Sequence, residues 1–202
     1  MILYFETNFL IGIGTGRDSQ ANTLLESTPP SLQLVIPSVC YMEALSALEQ
    51  EQKYRKRFGN ELDLQISQAR RDVTSSNAQS LFALLRESKN KNEQLLNDVE
   101  SRLFQALNQI SLKAEMIELT VDMVQESLNA PFFRTDYTDN LILYCILHHA
   151  GLHPNETKAF LSSNSREFGQ VEVQEALANA GGVNYFSSSQ DFMVWRQSQS
   201  GE

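Results

Sequence analysis

Ile2-Leu3-Tyr4-Phe5-Glu6-Thr7-Asn8 opens as a short apolar run and stops at an acid followed by two small polar residues. Such a run, bounded on its far side by polar residues, predicts a buried strand and leaves Glu6 at the strand's end. Three further stretches also place acids or amides at a strand end or on an apolar helix flank. They are Ser38-Val39-Cys40-Tyr41-Met42-Glu43-Ala44, Arg134-Thr135-Asp136-Tyr137-Thr138-Asp139-Asn140 and Ser162-Ser163-Asn164-Ser165-Arg166-Glu167-Phe168. An isolated buried carboxylate costs too much to keep ionised, so each acid must be solvated, paired or bound to a cation. Glu6, Glu43, Asp136, Asp139, Asn164 and Glu167 are therefore expected to form one divalent metal site.

Working outward, Leu32 to Ile36 is a second apolar run closed by Pro37, with Ser38 as the expected N-cap of a helix that reaches about Gln52. From there to about residue 115 the composition turns polar, yet Leu95 or Leu96, Val99, Leu103, Leu107 and Ile110 keep a spacing of three and four. This stretch, approximately 52–115, predicts an inserted helical hairpin in one domain spanning residues 1–202. Val121 to Leu128 is amphipathic. Tyr137 to Ala150 is a nearly all-apolar helix, with Gly151 as its expected C-cap. Ala159 to Ser163 and Val183 to Phe186 are further strand candidates, with a helix over Val173 to Ala180 between them. Strands separated by helices imply a three-layer α/β/α fold with a central parallel sheet of four or five strands.

The 202 residues, 42 % hydrophobic, suffice for one sizeable core, and a net charge of -9 excludes a global basic field for nucleic acid. Any such partner must be met by a local basic patch or by metal. Cys40 and Cys145 sit in apolar helical patterns, which fits reduced thiols and a cytoplasmic location. The longest apolar run, Leu141 to Leu147, is too short to span a bilayer, and no basic segment precedes the first apolar run. The expectation is a protein neither secreted nor membrane-inserted.

In a parallel sheet, ligands bind beyond the carboxyl ends of the strands. Glu6 and Asn164 each follow a strand, and Asp136 and Asp139 share a face at the start of the apolar helix. Glu43 lies too far into its helix for a capping box, and no cation stands three or four residues from it. Taken singly, either aspartate reads as a carboxylate favoured by a helix N-terminus, Asn164 as a turn residue and Glu6 as a solvated loop acid. Their joint order tips the reading. A cluster of oxygen donors suits Mg²⁺ or Mn²⁺.

These residues resemble the PIN domain family, the metal-dependent nuclease fold of type II toxin ribonucleases and of several RNA-processing and DNA-flap nucleases. Phe5-Glu6-Thr7-Asn8-Phe9-Leu10 follows the family's opening strand and acid, with Glu6 where the family usually has Asp. Glu43 matches its second acid, Asp139 in Thr138-Asp139-Asn140-Leu141-Ile142-Leu143 its third, and Asn164 with Glu167 and Phe168 its fourth block, the neutral Asn being common in toxin members. Asp136 is an auxiliary acid. The resemblance covers roughly residues 1–50 and 130–190 and is silent on the polar middle.

It implies an endoribonuclease using Mg²⁺ or Mn²⁺, with Glu6, Glu43 and Asp139 as principal ligands and Asp136, Asn164 or Glu167 placing water or a second ion. Thr7, Asn8 and Ser163 would orient the ligands. Lys53, Arg55, Lys56 and Arg57, with Tyr54 and Phe58, form a basic cluster suited to phosphates and bases, as well as to a plain solvated helix face; Arg134 and Arg166 stand beside the acids. Expected partners are an RNA substrate, an antitoxin protein in a toxin and antitoxin pair, and a second copy as homodimer. The alternative is a catalytically weak PIN-like scaffold binding RNA or protein, which the Glu6 departure and acidic charge favour. A phosphatase or nucleotide-binding module ranks last, since no phosphate-cradling Gly loop or Asp-x-Asp occurs. Gly12, Gly14 and Gly16 read as a turn bordering the crevice. His148, His149 and His153 read as helix C-terminal cations rather than zinc ligands, and Trp195 as an anchor for the C-terminal segment.

Overall fold

The computed structural model describes residues 1–200. Its elements run β1 (Ile2–Phe5), α1 (Thr7–Thr15), α2 (Ser19–Glu26), β2 (Gln33–Pro37), α3 (Val39–Ala69), α4 (Ser76–Lys113), β3 (Ala114–Ile117), α5 (Val121–Asn129), α6 (Tyr137–Leu152), β4 (Lys158–Leu161), α7 (Val171–Asn179), β5 (Val183–Phe186) and α8 (Ser189–Ser200). All five strands are parallel, in the order β3-β2-β1-β4-β5. Every residue of β1 and β4 is buried, as a parallel sheet covered on both faces requires. Phe5 stacks on Phe9 of α1, whereas the Tyr4 hydroxyl meets His149 of α6, so successive β1 side chains serve opposite layers. The fold is the three-layer α/β/α arrangement expected of a PIN domain.

The chain leaves β1 towards β2 on one side and later returns to β4 on the other. Sequence order thus reverses between β1 and β4, and a crevice opens at their carboxyl ends. Glu6 follows β1 directly, and Ser162 to Asn164 follow β4. On the α6 side the floor is aromatic: Phe168 meets Phe160 and Phe133 edge to face, at 5.0 and 5.6 Å between centroids. At the far edge, Trp195 of α8 packs on Phe186 of β5, as its expected anchoring role requires.

Several local expectations need correction. The helix after β2 does not end near Gln52 but continues unbroken to Ala69. Nothing in that stretch breaks a helix, and its polarity reflects exposure on most sides. α3 and α4 pair antiparallel through seams with a period of seven: Gln52, Arg55, Gly59, Leu62 and Ile66 on α3, and Phe82, Leu85, Lys89, Asn92, Leu96, Val99 and Leu103 on α4. Midway, buried Asn92 accepts from Arg55 Nη1 at 3.3 Å and donates to the Arg55 carbonyl at 3.1 Å. α4 ends at Lys113, and Ala114–Ile117 becomes β3, an edge strand too short and too exposed to stand out from its neighbours.

Ser38 makes no side-chain cap, because its backbone is already helical. Gly151 lies inside α6, which His153 closes. Gly12 and Gly14 belong to α1 rather than to a turn. A Cβ on Gly14 would stand 3.1 Å from Leu103 Cβ, so the missing side chain lets α1 and α4 approach closely, and only Gly16, at φ 71, is the left-handed cap. His149 is buried between Tyr4 (Nδ1 to the hydroxyl, 2.9 Å) and Glu115 of β3 (Nε2 to Oε1, 3.1 Å), and His148 meets Glu126 at 2.7 Å. Carboxylates, beyond any helix dipole, hold these two imidazoles.

Candidate active site

Glu6 caps the first turn of α1 from an extended backbone, and its Oε2 accepts from the Asn8 amide at 2.6 Å. The residue is 2 % exposed, and its other oxygen, Oε1, is buried without a hydrogen-bond partner. Burial pushes the Glu6 carboxyl up to about 7; the Asn8 amide and the nearby Ser162 hydroxyl pull it down, and Glu43 adds repulsion.

Glu43 points from the start of α3 to Thr7, whose hydroxyl donates to Oε2. Its carboxyl is also raised, by burial first, against the help of Thr7 and with added repulsion from Asp136. Asp136 is the N-cap of α6 and accepts from the Asp139 amide at 3.1 Å. Asp139, on the first turn, is 6 % exposed, and its carboxyl rises to about 7 through burial and through repulsion from Asp136, Glu6, Glu43 and Glu167. Asn164 Nδ2 donates to Asp139 Oδ2 at 2.8 Å.

The structure thus gathers Glu6, Glu43, Asp136, Asp139, Asn164 and Glu167 from four separate parts of the chain. Thr7 holds Glu43 rather than Glu6, which Asn8 holds instead. Ser163 is exposed; its neighbour Ser162, buried, sits by Glu6 and accepts from the Asn164 amide at 3.0 Å. Side chains alternate as a strand ends, so a serine pair offers one inward hydroxyl, but the sequence alone does not say which.

Asn140 was missed altogether. It donates to the carbonyls of Phe133 (2.6 Å) and Asp136 (2.9 Å) and accepts from the Phe133 amide (3.0 Å), fixing the loop that presents Asp136. An amide one residue after a helix N-terminal acid was its only signal. Cys40, buried beneath Thr7, has its thiol pushed well up, chiefly by burial, which keeps it unreactive.

Arg134 is exposed two residues before Asp136, and Arg166 lies beside Glu167, Nε to Oε1 3.6 Å, with its side chain 91 % exposed. Both stand on loops that carry the acids. Arg55 is engaged by Glu51 and Asn92, while Lys53, Lys56 and Arg57 are exposed along the hairpin.

All the acidic site's donors are oxygens, as Mg²⁺ and Mn²⁺ prefer. As the side chains stand, no three His, Cys, Asp or Glu groups among the described residues converge closely enough to hold an ion. Glu6 is turned to Asn8, Glu43 to Thr7 and Asp139 to Asn164. The donor set fits a hard cation chemically, because a buried unpartnered carboxylate oxygen among mutually repelling acids is the arrangement that one relieves. Among the described residues no helix is long and apolar enough to cross a membrane.

A search of curated proteins finds none that matches this chain. A family model described as a PIN domain matches residues 3–168, which takes in every acid of the site and both helices of the hairpin. The chain belongs to the PIN domain family.

Proposed function

We propose that this chain is a divalent-metal-dependent endoribonuclease that hydrolyses RNA phosphodiester bonds and acts as the toxin of a toxin and antitoxin pair in the cytoplasm. The observation that carries the reading is Glu6 Oε1, buried and unpartnered beside acids whose repulsion raises Asp139 to about 7. Burying a carboxylate without a partner costs several kcal/mol, roughly, and folds tolerate it chiefly where a ligand relieves it. Membership of a family whose members are metal-dependent nucleases supports the same reading, as does the resemblance of the Asn164 block to toxin members.

Glu6, Glu43 and Asp139 would hold Mg²⁺ or Mn²⁺. When bound, the ion supplies a water of lowered pKa and stabilises charge on the leaving oxygen. Asp136 would hold the first turn of α6 so that Asp139 faces the crevice, and Asn164 would fix the rotamer of Asp139. Glu167 adds negative charge opposite. Arg134 and Arg166 would meet the phosphates on either side of the scissile bond, offsetting a chain whose net charge of -9 repels them.

The test is cleavage of labelled single-stranded and structured RNA in Mg²⁺, Mn²⁺ or EDTA, with Glu43→Gln and Asp139→Asn beside the parent. Cleavage that needs metal and disappears in both variants is expected. If metal neither binds nor supports cleavage, the chain is a PIN-like scaffold, a reading that the unconverged carboxylates favour.

A further inference from the structure

Along its root, the α3–α4 hairpin is covered by α1: Gly14 sits against Leu103, and Arg102 Nε donates to the Gly14 carbonyl at 2.9 Å. In the seven-residue repeat, Arg102 flanks the α4 seam on the same side as Leu95, Ser88 and Leu81. Glu51, Phe58 and Gln65 flank the α3 seam on that side, because in an antiparallel pair like flanks meet. The opposite groove is polar, lined by Lys56, Asn60, Asp63, Lys89 and Glu93.

Beyond α1 the covered side continues outward for about 25 Å of helix with nothing upon it. It carries Tyr54, Phe58, Leu81, Leu84 and Leu95, exposed by 55, 50, 49, 62 and 40 %. Contiguous apolar surface of this kind marks an interaction site rather than a solvated face.

The order of residues on this face identifies its partner. The Arg55–Asn92 contact fixes the register, so Leu95 lies level with Gln52, Lys91 with Lys56, Leu84 with Asp63 and Leu81 with Ile66. Read from root to tip, the face runs Leu95 and Tyr54, then Lys91, Phe58 and Glu61, then Leu84 and Leu81. That order is self-complementary about Phe58. Turned by a two-fold axis there, a second copy sets its Glu61 against Lys91, its Leu84 against Tyr54 and its Leu81 against Leu95. Lys91 donates only to Gln94, and Glu61 accepts only from Gln65, weak contacts within their own helices that leave both charges available.

We propose that this chain forms a two-fold symmetric homodimer through the Tyr54, Phe58, Leu81, Leu84 and Leu95 face of its helical hairpin, with Lys91–Glu61 pairs on each side of the axis. Such an isologous contact buries the same patch on both copies. It leaves the acidic crevice free and is independent of whether that crevice cuts RNA.

The test is the mass of the full chain by sedimentation equilibrium, in EDTA, at concentrations up to about 100 µM, a range that captures interfaces at the small end of the usual size. A mass of twice 22.9 kDa is expected. Phe58→Asp, Glu61→Lys and Lys91→Glu should each weaken association at least tenfold by roughly the worth of one buried contact. Glu61→Lys combined with Lys91→Glu should restore it, which no loss of folding could mimic. Phe58→Cys should form an intermolecular disulfide on mild oxidation, because Cys40 and Cys145 are buried and do not compete. A monomer throughout the range overturns the proposal. So does a dimer indifferent to Phe58→Asp, or a double charge reversal that stays monomeric.

Discussion

Asn164 Nδ2 donates to Asp139 Oδ2 at 2.8 Å, a side-chain bond that ties the end of β4 to the first turn of α6 across the crevice. As a donor, the amide stabilises the charged form of an acid that burial and four neighbouring carboxylates disfavour. Replacing Asn164 with Asp removes the donor and adds a further negative charge. We expect Asn164→Asp to lose about 1–3 kcal/mol of stability in EDTA and to recover more of it than the parent on addition of Mn²⁺. Urea unfolding with and without metal measures this; an equal gain from metal in both proteins contradicts it.

Asp139 and Glu6 both have carboxyls raised to about 7 in the folded protein, from ordinary values of 3.8 and 4.5. The folded state therefore binds more protons than the unfolded chain between those limits, and stability must fall as pH rises from about 4 to about 7. Below that window both states are protonated and the full contribution is present. Without metal, the melting temperature should drop across the window by on the order of 5 °C. Asp139→Asn and Glu6→Gln should each flatten the drop. Calorimetry in EDTA at stepped pH reads the slope, and a rising one refutes the assignment.

Tyr4, His149 and Glu115 link the central strand, α6 and the edge strand in one row, with Gln33 Nε2 donating to the far oxygen of Glu115 at 2.5 Å. Tyr4→Phe keeps the ring but leaves His149 Nδ1 buried and unpaired. A loss of about 1–2 kcal/mol is expected, without effect on the crevice, whose residues Tyr4 does not touch. Denaturant midpoints, beside the RNA assay, check both halves of that statement.

Two glycines in helices should respond oppositely to alanine. At Gly151 a Cβ meets Ala180 O at 3.9 Å, an ordinary contact, so Gly151→Ala should stabilise by about 0.5–1 kcal/mol through helix propensity. At Gly14 the same atom meets Leu103 Cβ at 3.1 Å. There the two helices must separate, and Gly14→Ala should destabilise by roughly 1 kcal/mol despite its propensity gain. Thermal melts of the two variants decide it.

The sequence could locate the acids because each sits at a boundary that local chemistry marks: Glu6 where an apolar run ends, Asp136 and Asp139 where an apolar helix starts, Asn164 after another strand. Four of the five strands were readable for the same reason. β3 was not, since Ala114–Ile117 is half exposed and carries Glu115 in its middle. Nor was the length of α3, whose exposed faces look like a linker until the partner seam on α4 is in place. Partnerships between distant residues stayed hidden as well. That Thr7 serves Glu43 depends on how α1 lies against α3, and that Ser162 rather than Ser163 faces Glu6 depends on the strand's last half-turn.

α4 passes into β3 with no residue between them: Lys113 ends the helix and Ala114 begins the strand. A joint without a loop transmits torque. Lys113 Nζ is also pinned to the carbonyls of Leu25 and Glu26, at 2.6 and 3.0 Å, so the root of the hairpin is clamped on two sides. Any twist imposed on its far end by a bound molecule must therefore turn the edge of the sheet, and would first be felt where Glu115 grips His149. The arm is a rigid lever set into the sheet rather than a hinged flap upon it.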